Sequence, residues 1–287
     1  MRFNRRSMFK AGAAGALLAF ATPQIMTRTA VAAARPRPEI ANSGFHRFML
    51  GEFEITVLLD GMRTFDGPHP TFGADQDADD VAFLMKENFL PSDRMIGQFN
   101  PVLVNTGTEL ILFDTGNGPE GRALGTGQLA SRIAASGYSP SDVTIVAISH
   151  LHADHINGLM EGDRPAFNEA RYVVGQTEWD FWTSADVSGT PAAMHATAIQ
   201  RKVLPLGERM TFIGADQSIV PGVTSMAAAG HTPGHMAFLL ESAGRRLLLT
   251  GEPFRGLSAE AGLGSLFRHG QSGGGQHAQE AIRNAGC

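Results

Sequence analysis

The feature that most constrains this chain is the run His150-Leu151-His152-Ala153-Asp154-His155, set almost directly after the apolar stretch from Val143 to Ile148, in which only Thr144 is polar. A short apolar run of that kind reads as a strand buried on both faces. The chain must then leave a sheet and present three imidazoles and a carboxylate within a single tight turn. Such groups are costly to bury without partners, so packing alone explains them poorly. Imidazole nitrogen and carboxylate oxygen are the donors that zinc and similar ions prefer. His150, His152, Asp154 and His155 are therefore candidate metal ligands.

Two other segments repeat the pattern of strand followed by tight turn. Val223 to Ala228 predicts a strand that leads through Gly230 into His231-Thr232-Pro233-Gly234-His235. A histidine in a Pro/Gly loop at a strand end is placed to ligate, so His231 is a fifth candidate. His235 reads better as a supporting histidine than as a ligand. Upstream, Leu110 to Phe113 predicts a strand ending in Asp114-Thr115-Gly116. Asp114 either hydrogen-bonds the metal loop and orients its histidines, or only shapes an Asx turn.

Between these segments the chain alternates strand and helix. Further strands are predicted at Phe53 to Leu59, Val102 to Asn105, Ala237 to Glu241 and Arg246 to Leu249. Helices are predicted at Asp77 to Leu90, with Asp77 as a cap, at Gln128 to Ala135 ended by Gly137, at Gln176 to Trp182 and at Pro191 to Lys202. Apolar strands alternating with helices imply an α/β class with helices packed on sheet faces. At 43% hydrophobic and 18% charged, the composition supports a sizeable core. The net charge of -5 gives no footprint for nucleic acid. A single cysteine, Cys287, excludes an intramolecular disulfide. Neither it nor any Gly-x-Ser-x-Gly elbow offers a protein nucleophile.

Residues 1–34 read as a targeting segment. Arg2, Arg5, Arg6 and Lys10 make a basic start, Ala11 to Ala21 a short apolar run, and Ala30-Val31-Ala32-Ala33-Ala34 a cleavage region. The apolar run falls short of the roughly 20 residues a membrane span needs. Asn4-Arg5-Arg6-Ser7-Met8-Phe9-Lys10 resembles the twin-arginine export motif, so a periplasmic or secreted location is expected. Residues 35–47, with Arg35-Pro36-Arg37-Pro38, read as a linker and 48–251 as the folded domain.

Taken in order, the Asp114 turn, the His150–His155 run and the His231 loop make residues 48–251 resemble the metallo-β-lactamase superfamily. The stretch from Phe48 to Thr56 and the run from Gly230 to His235 are most similar to its exported methyl-parathion-hydrolase-type and lactonase-like branch. The resemblance implies a four-layer αβ/βα sandwich with two zinc ions at one edge. It also implies that His150, His152 and His231 hold the first ion, that Asp154 and His155 hold the second, and that a bridging aspartate and a last histidine complete the pair. The activity implied is attack of a metal-activated hydroxide on an ester-like bond, in a phosphotriester, a lactone or a related small molecule, with Asp154 also aligning the hydroxide. A homodimer is compatible with this reading.

Where the resemblance places the bridging aspartate, this chain has Glu252, one methylene longer, which either ligates with a shifted backbone or misses. Beyond it, residues 252–287 form an atypical tail around Gly273-Gly274-Gly275 with no strand pattern, and its His269 and His277 follow no strand. The tail reads as out of frame, which would leave the sandwich incomplete and the second metal short of ligands. The competing reading is then a metal-binding homologue with impaired catalysis. A diiron redox protein on the same fold fits less well, because it prefers a carboxylate near the position of His152 and a flavin domain. Trp179, Phe181 and Trp182, on a predicted helix after the metal loop, either line an apolar pocket or pack in the core.

Overall fold

The computed structural model describes residues 43–73, 76–190 and 192–251. Residues 1–34, which read as a targeting segment, Glu252, His269, His277 and the rest of the tail lie outside the described residues. In chain order the first elements are β1 (Phe45–Leu50), β2 (Phe53–Leu58), β3 (Gly61–Phe65), α1 (Ala78–Glu87), β4 (Met95–Phe99), β5 (Val102–Asn105) and β6 (Leu110–Phe113). Then come α2 (Gly118–Gly121), α3 (Leu129–Ala135), β7 (Ile145–Ala147), α4 (Ala153–Ile156), β8 (Met160–Glu161), β9 (Arg164–Pro165), β10 (Arg171–Gly175) and α5 (Gln176–Ser184). Last are α6 (Ala193–Lys202), β11 (Met210–Ile213), β12 (Ser218–Val220), β13 (Val223–Ala227), β14 (Met236–Ser242) and β15 (Arg245–Leu249).

Seven strands form one sheet in the order β1-β2-β5-β6-β7-β10-β11, and four form a second in the order β12-β13-β14-β15. The first sheet is antiparallel from β1 to β6 and parallel from β6 to β11. Parallel strands must be covered on both faces, and β7 shows how the sequence meets that demand. Ile145 and Ala147 lie in an apolar cluster shared with Met236, Phe238 and Leu240 of β14. Val146 and the following Ile148 lie in a cluster shared with Leu129 and Ile133 of α3, Trp182 of α5 and Ile199 of α6. Period-2 alternation thus divides one apolar run between two cores. Phe113 of β6 and Phe238 of β14 meet across the sheets with ring centroids 5.0 Å apart. Burying a side chain such as Phe238 contributes about 1.5–3 kcal/mol.

Three layers are therefore present: helices, the seven-stranded sheet and the four-stranded sheet. On the far face of the four-stranded sheet Met226 and Leu248 remain exposed. No helix among the described residues covers that face, so the fourth layer of the expected sandwich is not among them. At the other end, β1 begins at Phe45, three residues inside the stretch read as linker, and pairs along its whole length with β2. Its exposed His46 and Arg47 hid the strand from a hydrophobicity reading. Helix α1 starts after Asp77 as expected, but the Asp77 side chain makes no cap hydrogen bond. No helix of the described residues is long and apolar enough to cross a membrane.

Candidate metal centre

The candidate residues leave the sheets at neighbouring strand ends. Asp114 follows β6, the run from Ser149 to His155 follows β7, and His231 to His235 precede β14. Backbone hydrogen bonds lock these exits together: Asp114 N–H donates to Ala147 O at 3.0 Å, and Met236 N–H donates to Ser149 O at 2.9 Å. His152 ends an extended stretch just before α4, whose four residues carry Asp154 and His155.

One donor atom each from His150, His152 and His231 lies within 4.8 Å of the others. The Nε2 atoms of His150 and His231 are 3.1 Å apart. Two imidazole nitrogens at that distance either share one hydrogen or turn both lone pairs to a common cation. The Nε2 atom of His152 is buried with no hydrogen-bond partner, an arrangement rarely left standing in a folded protein. Three converging nitrogens, one of them without a partner, fit a divalent ion of the zinc type. Burial drives the pKa of His150 and His152 well below the usual imidazole value, and the neighbouring histidines push in the same direction. Both are therefore neutral at neutral pH, the state in which imidazole ligates.

His155 and Asp154 sit beside this trio. His155 Nδ1 lies 2.8 Å from Asp114 Oδ2, and its Nε2 lies 3.5 Å from Asp154 Oδ2. Burial alone would lower the His155 pKa, but Asp114 and Asp154 together outweigh it and raise it well above the ordinary value. For Asp154, burial pushes the carboxyl up, but His155 and His152 hold it well below the usual carboxylate range. His155 and Asp154 are thus placed side by side, as a second ligand pair would require. His235 is buried, with its ring centroid 4.9 Å from that of His150 and 5.9 Å from that of His231, a supporting place beside the trio.

Asp114 hydrogen-bonds the loop that carries the candidate ligands. Its backbone takes the left-handed conformation, φ 59°, which aspartate tolerates better than most residues. Its Oδ1 accepts from Ser149 N–H at 2.8 Å and its Oδ2 from Ser149 Oγ–H at 2.7 Å. The same Oδ2 faces His155 Nδ1, which directs Nε2 of that ring toward Asp154. An Asp114→Asn variant keeps the backbone but cannot accept at both positions. It is expected to weaken binding at the His155 position about 10- to 100-fold, measured by zinc titration against a chromogenic chelator; an unchanged titration would count against the orienting role.

Several residues of this region gave no signal in the sequence. Glu178 of α5 is fully buried, and His195 of α6 is 2% exposed and stacks on His152 at 4.1 Å. His195 Nδ1 accepts from Ala153 N–H at 3.1 Å. Asp60, after β2, is fully buried. Of the aromatic trio, Trp182 is 5% exposed in the helix-side core, Phe181 and Trp179 pack against that core, and Trp179 lies 5.0 Å from Phe212. Trp179 and Phe181 are half-buried, and Trp182 is buried. Gly251, the last described residue, has φ 70° and lies so close to the site that a Cβ there would fall 2.6 Å from Ser149 Oγ and 3.0 Å from His235 Nε2.

Comparison with known proteins adds the lineage. The family profile described as the metallo-beta-lactamase superfamily matches residues 96–259, which takes the likeness past Gly251, where it had been expected to stop. An N-acyl homoserine lactonase of Bacillus sp is 30% identical over 145 residues, covering 46% of this chain and 52% of that protein. A second, from Bacillus cereus, is 26% identical over 191 residues, covering 58% and 70%. The chain spans about half the length of most of the curated relatives it matches. Among solved structures, the dizinc quorum-quenching lactonase AidC superposes with TM-score 0.62 at 25% identity, covering 71% of this chain and 73% of that one. The hydrolase AbOPH superposes with TM-score 0.63 at 27% identity, covering 72% and 73%.

Proposed function

Because the chain belongs to the metallo-beta-lactamase superfamily, we propose that it is a zinc-dependent hydrolase of ester-like bonds, with lactones as its first substrate class and phosphotriesters as its second. The observation that carries this reading is the convergence of His150, His152 and His231 on one point at the sheet rim. A divalent ion held there supplies Lewis acidity and lowers the pKa of water toward neutrality.

The chain's own residues do the rest. His150, His152 and His231 would hold the first ion through nitrogen, and Asp154 with His155 would serve a second. Asp154, kept ionised beside His155, would accept a hydrogen bond from a water activated at the site. Asp114 holds the His155 ring in one orientation while this happens. Lactonase relatives and a lactonase among the structural neighbours support the order of substrate classes.

The test is a panel of N-acyl homoserine lactones, a chromogenic phosphotriester and a β-lactam, assayed on the zinc-loaded and the chelated chain. Lactone hydrolysis that chelator abolishes and added zinc restores is the expected result. Turnover that survives complete chelation overturns the metal reading. A chain that holds zinc tightly yet turns over none of the panel is instead the catalytically impaired homologue.

A further inference from the structure

The two loops that carry the proposed ligands approach from different parts of the chain, and one side chain joins them. Oε1 of Glu178 accepts from Leu151 N–H at 2.9 Å, between His150 and His152, and from Trp182 Nε1–H at 2.8 Å. Oε2 accepts from Thr232 Oγ1–H at 2.6 Å and from Gly234 N–H at 3.0 Å, in the loop that carries His231. Three of these four partners are N–H groups that can only donate, so the carboxylate sits as a four-way acceptor. The contact is close in the backbone as well. A Cβ on Gly234 would fall 2.0 Å from Glu178 N, so the His231 loop lies directly on the first turn of α5. Trp182, fixed by the same carboxylate, meets the His152 ring edge-on at 5.9 Å.

We propose that Glu178 is a positioning residue that sets the separation of the two ligand-bearing loops, and through it the affinity of the His150–His152–His231 trio for a divalent cation. The inference rests on the metal reading given above. Apart from the contact of His150 Nε2 with His231 Nε2, no other side chain bridges the two ligand loops among the hydrogen bonds described. Without the Glu178 carboxylate, the Met236–Ser149 backbone bond still ties the strand ends, but the Thr232–Gly234 turn loses its side-chain anchor and the three nitrogens converge less tightly.

The experiment uses the full-length chain and its Glu178→Gln variant. Zinc affinity is measured by competition with a chromogenic chelator, and cobalt(II) is substituted to record its visible absorption bands. Glutamine keeps the volume but offers one acceptor oxygen in place of two. The expected result is zinc affinity lower by about 10- to 100-fold, with altered cobalt bands, at a temperature where both chains are folded. A purely structural Glu178 would lower the melting temperature of loaded and chelated chain alike and leave affinity and bands unchanged, and that result overturns the proposal. If Glu178→Gln does not fold, Thr232→Val removes a single bond of the four; a several-fold loss of zinc affinity supports the proposal and an unchanged affinity overturns it. Wild-type chain that binds no zinc overturns the metal reading and this inference with it. Wild-type chain that binds zinc no better than Glu178→Gln overturns this inference alone.

Discussion

Replacing His150 by alanine is expected to remove tight zinc binding and to lower kcat/KM on the best ester substrate at least about a thousandfold, roughly 4 kcal/mol of transition-state stabilisation. His150 is the hub of the site. Its ring centroid lies 4.0 Å from that of His155, 4.6 Å from His231, 4.7 Å from His152 and 4.9 Å from His235, and it is completely buried. Taking it away leaves two nitrogens where three converged, too few to hold a four-coordinate ion firmly. The metal-free protein should lose little, because the deleted group is a buried imidazole crowded by others. Steady-state kinetics and metal analysis on one preparation check both halves. A variant that keeps its zinc and more than a tenth of its activity would show that the metal is held elsewhere.

The largest stability loss is expected at Asp60. This buried carboxylate accepts from Asn117 N–H at 2.9 Å, Asn117 Nδ2–H at 3.1 Å, Gly127 N–H at 3.0 Å and Leu129 N–H at 3.0 Å. It thereby gathers the whole segment between Asp114 and α3. Alanine would leave several buried donors unsatisfied, each costing about 1–3 kcal/mol before relaxation. A net loss of about 3–5 kcal/mol is expected for Asp60→Ala. It would be read as a lower urea midpoint with the slope unchanged. A shift worth under about 1 kcal/mol would mean that water replaces the carboxylate at no cost.

Much of this architecture is legible in the amino-acid order, and the exceptions have two causes. The run from Val143 to Ile148 announced β7 because strands with both faces covered must be apolar throughout. The run from His150 to His155 announced a cation site because few other arrangements tolerate so many imidazoles together. Strands β3, β4 and β1 stayed hidden, since exposed arginine, methionine and glutamine interrupt their alternation. Glu178, Asp60 and His195 were invisible for a different reason. In the local sequence Gln176-Thr177-Glu178-Trp179 the glutamate looks like a solvated helix residue, and only the return of residues 232–234 more than fifty positions later makes it an interior acceptor. Long-range partnership of a single polar atom leaves no periodicity to read. Glu252 and the tail lie outside the described residues, and metal titration tests the bridging position.

Because the proposed ligands depart from strands knit edge to edge by main-chain bonds, their spacing does not depend on the outer loops that would meet a substrate. Descendants of such a chain can rewrite those loops and trade one ester for another without disturbing the metal cage. New selectivity would thus be acquired at the periphery, while the reactive centre is inherited intact.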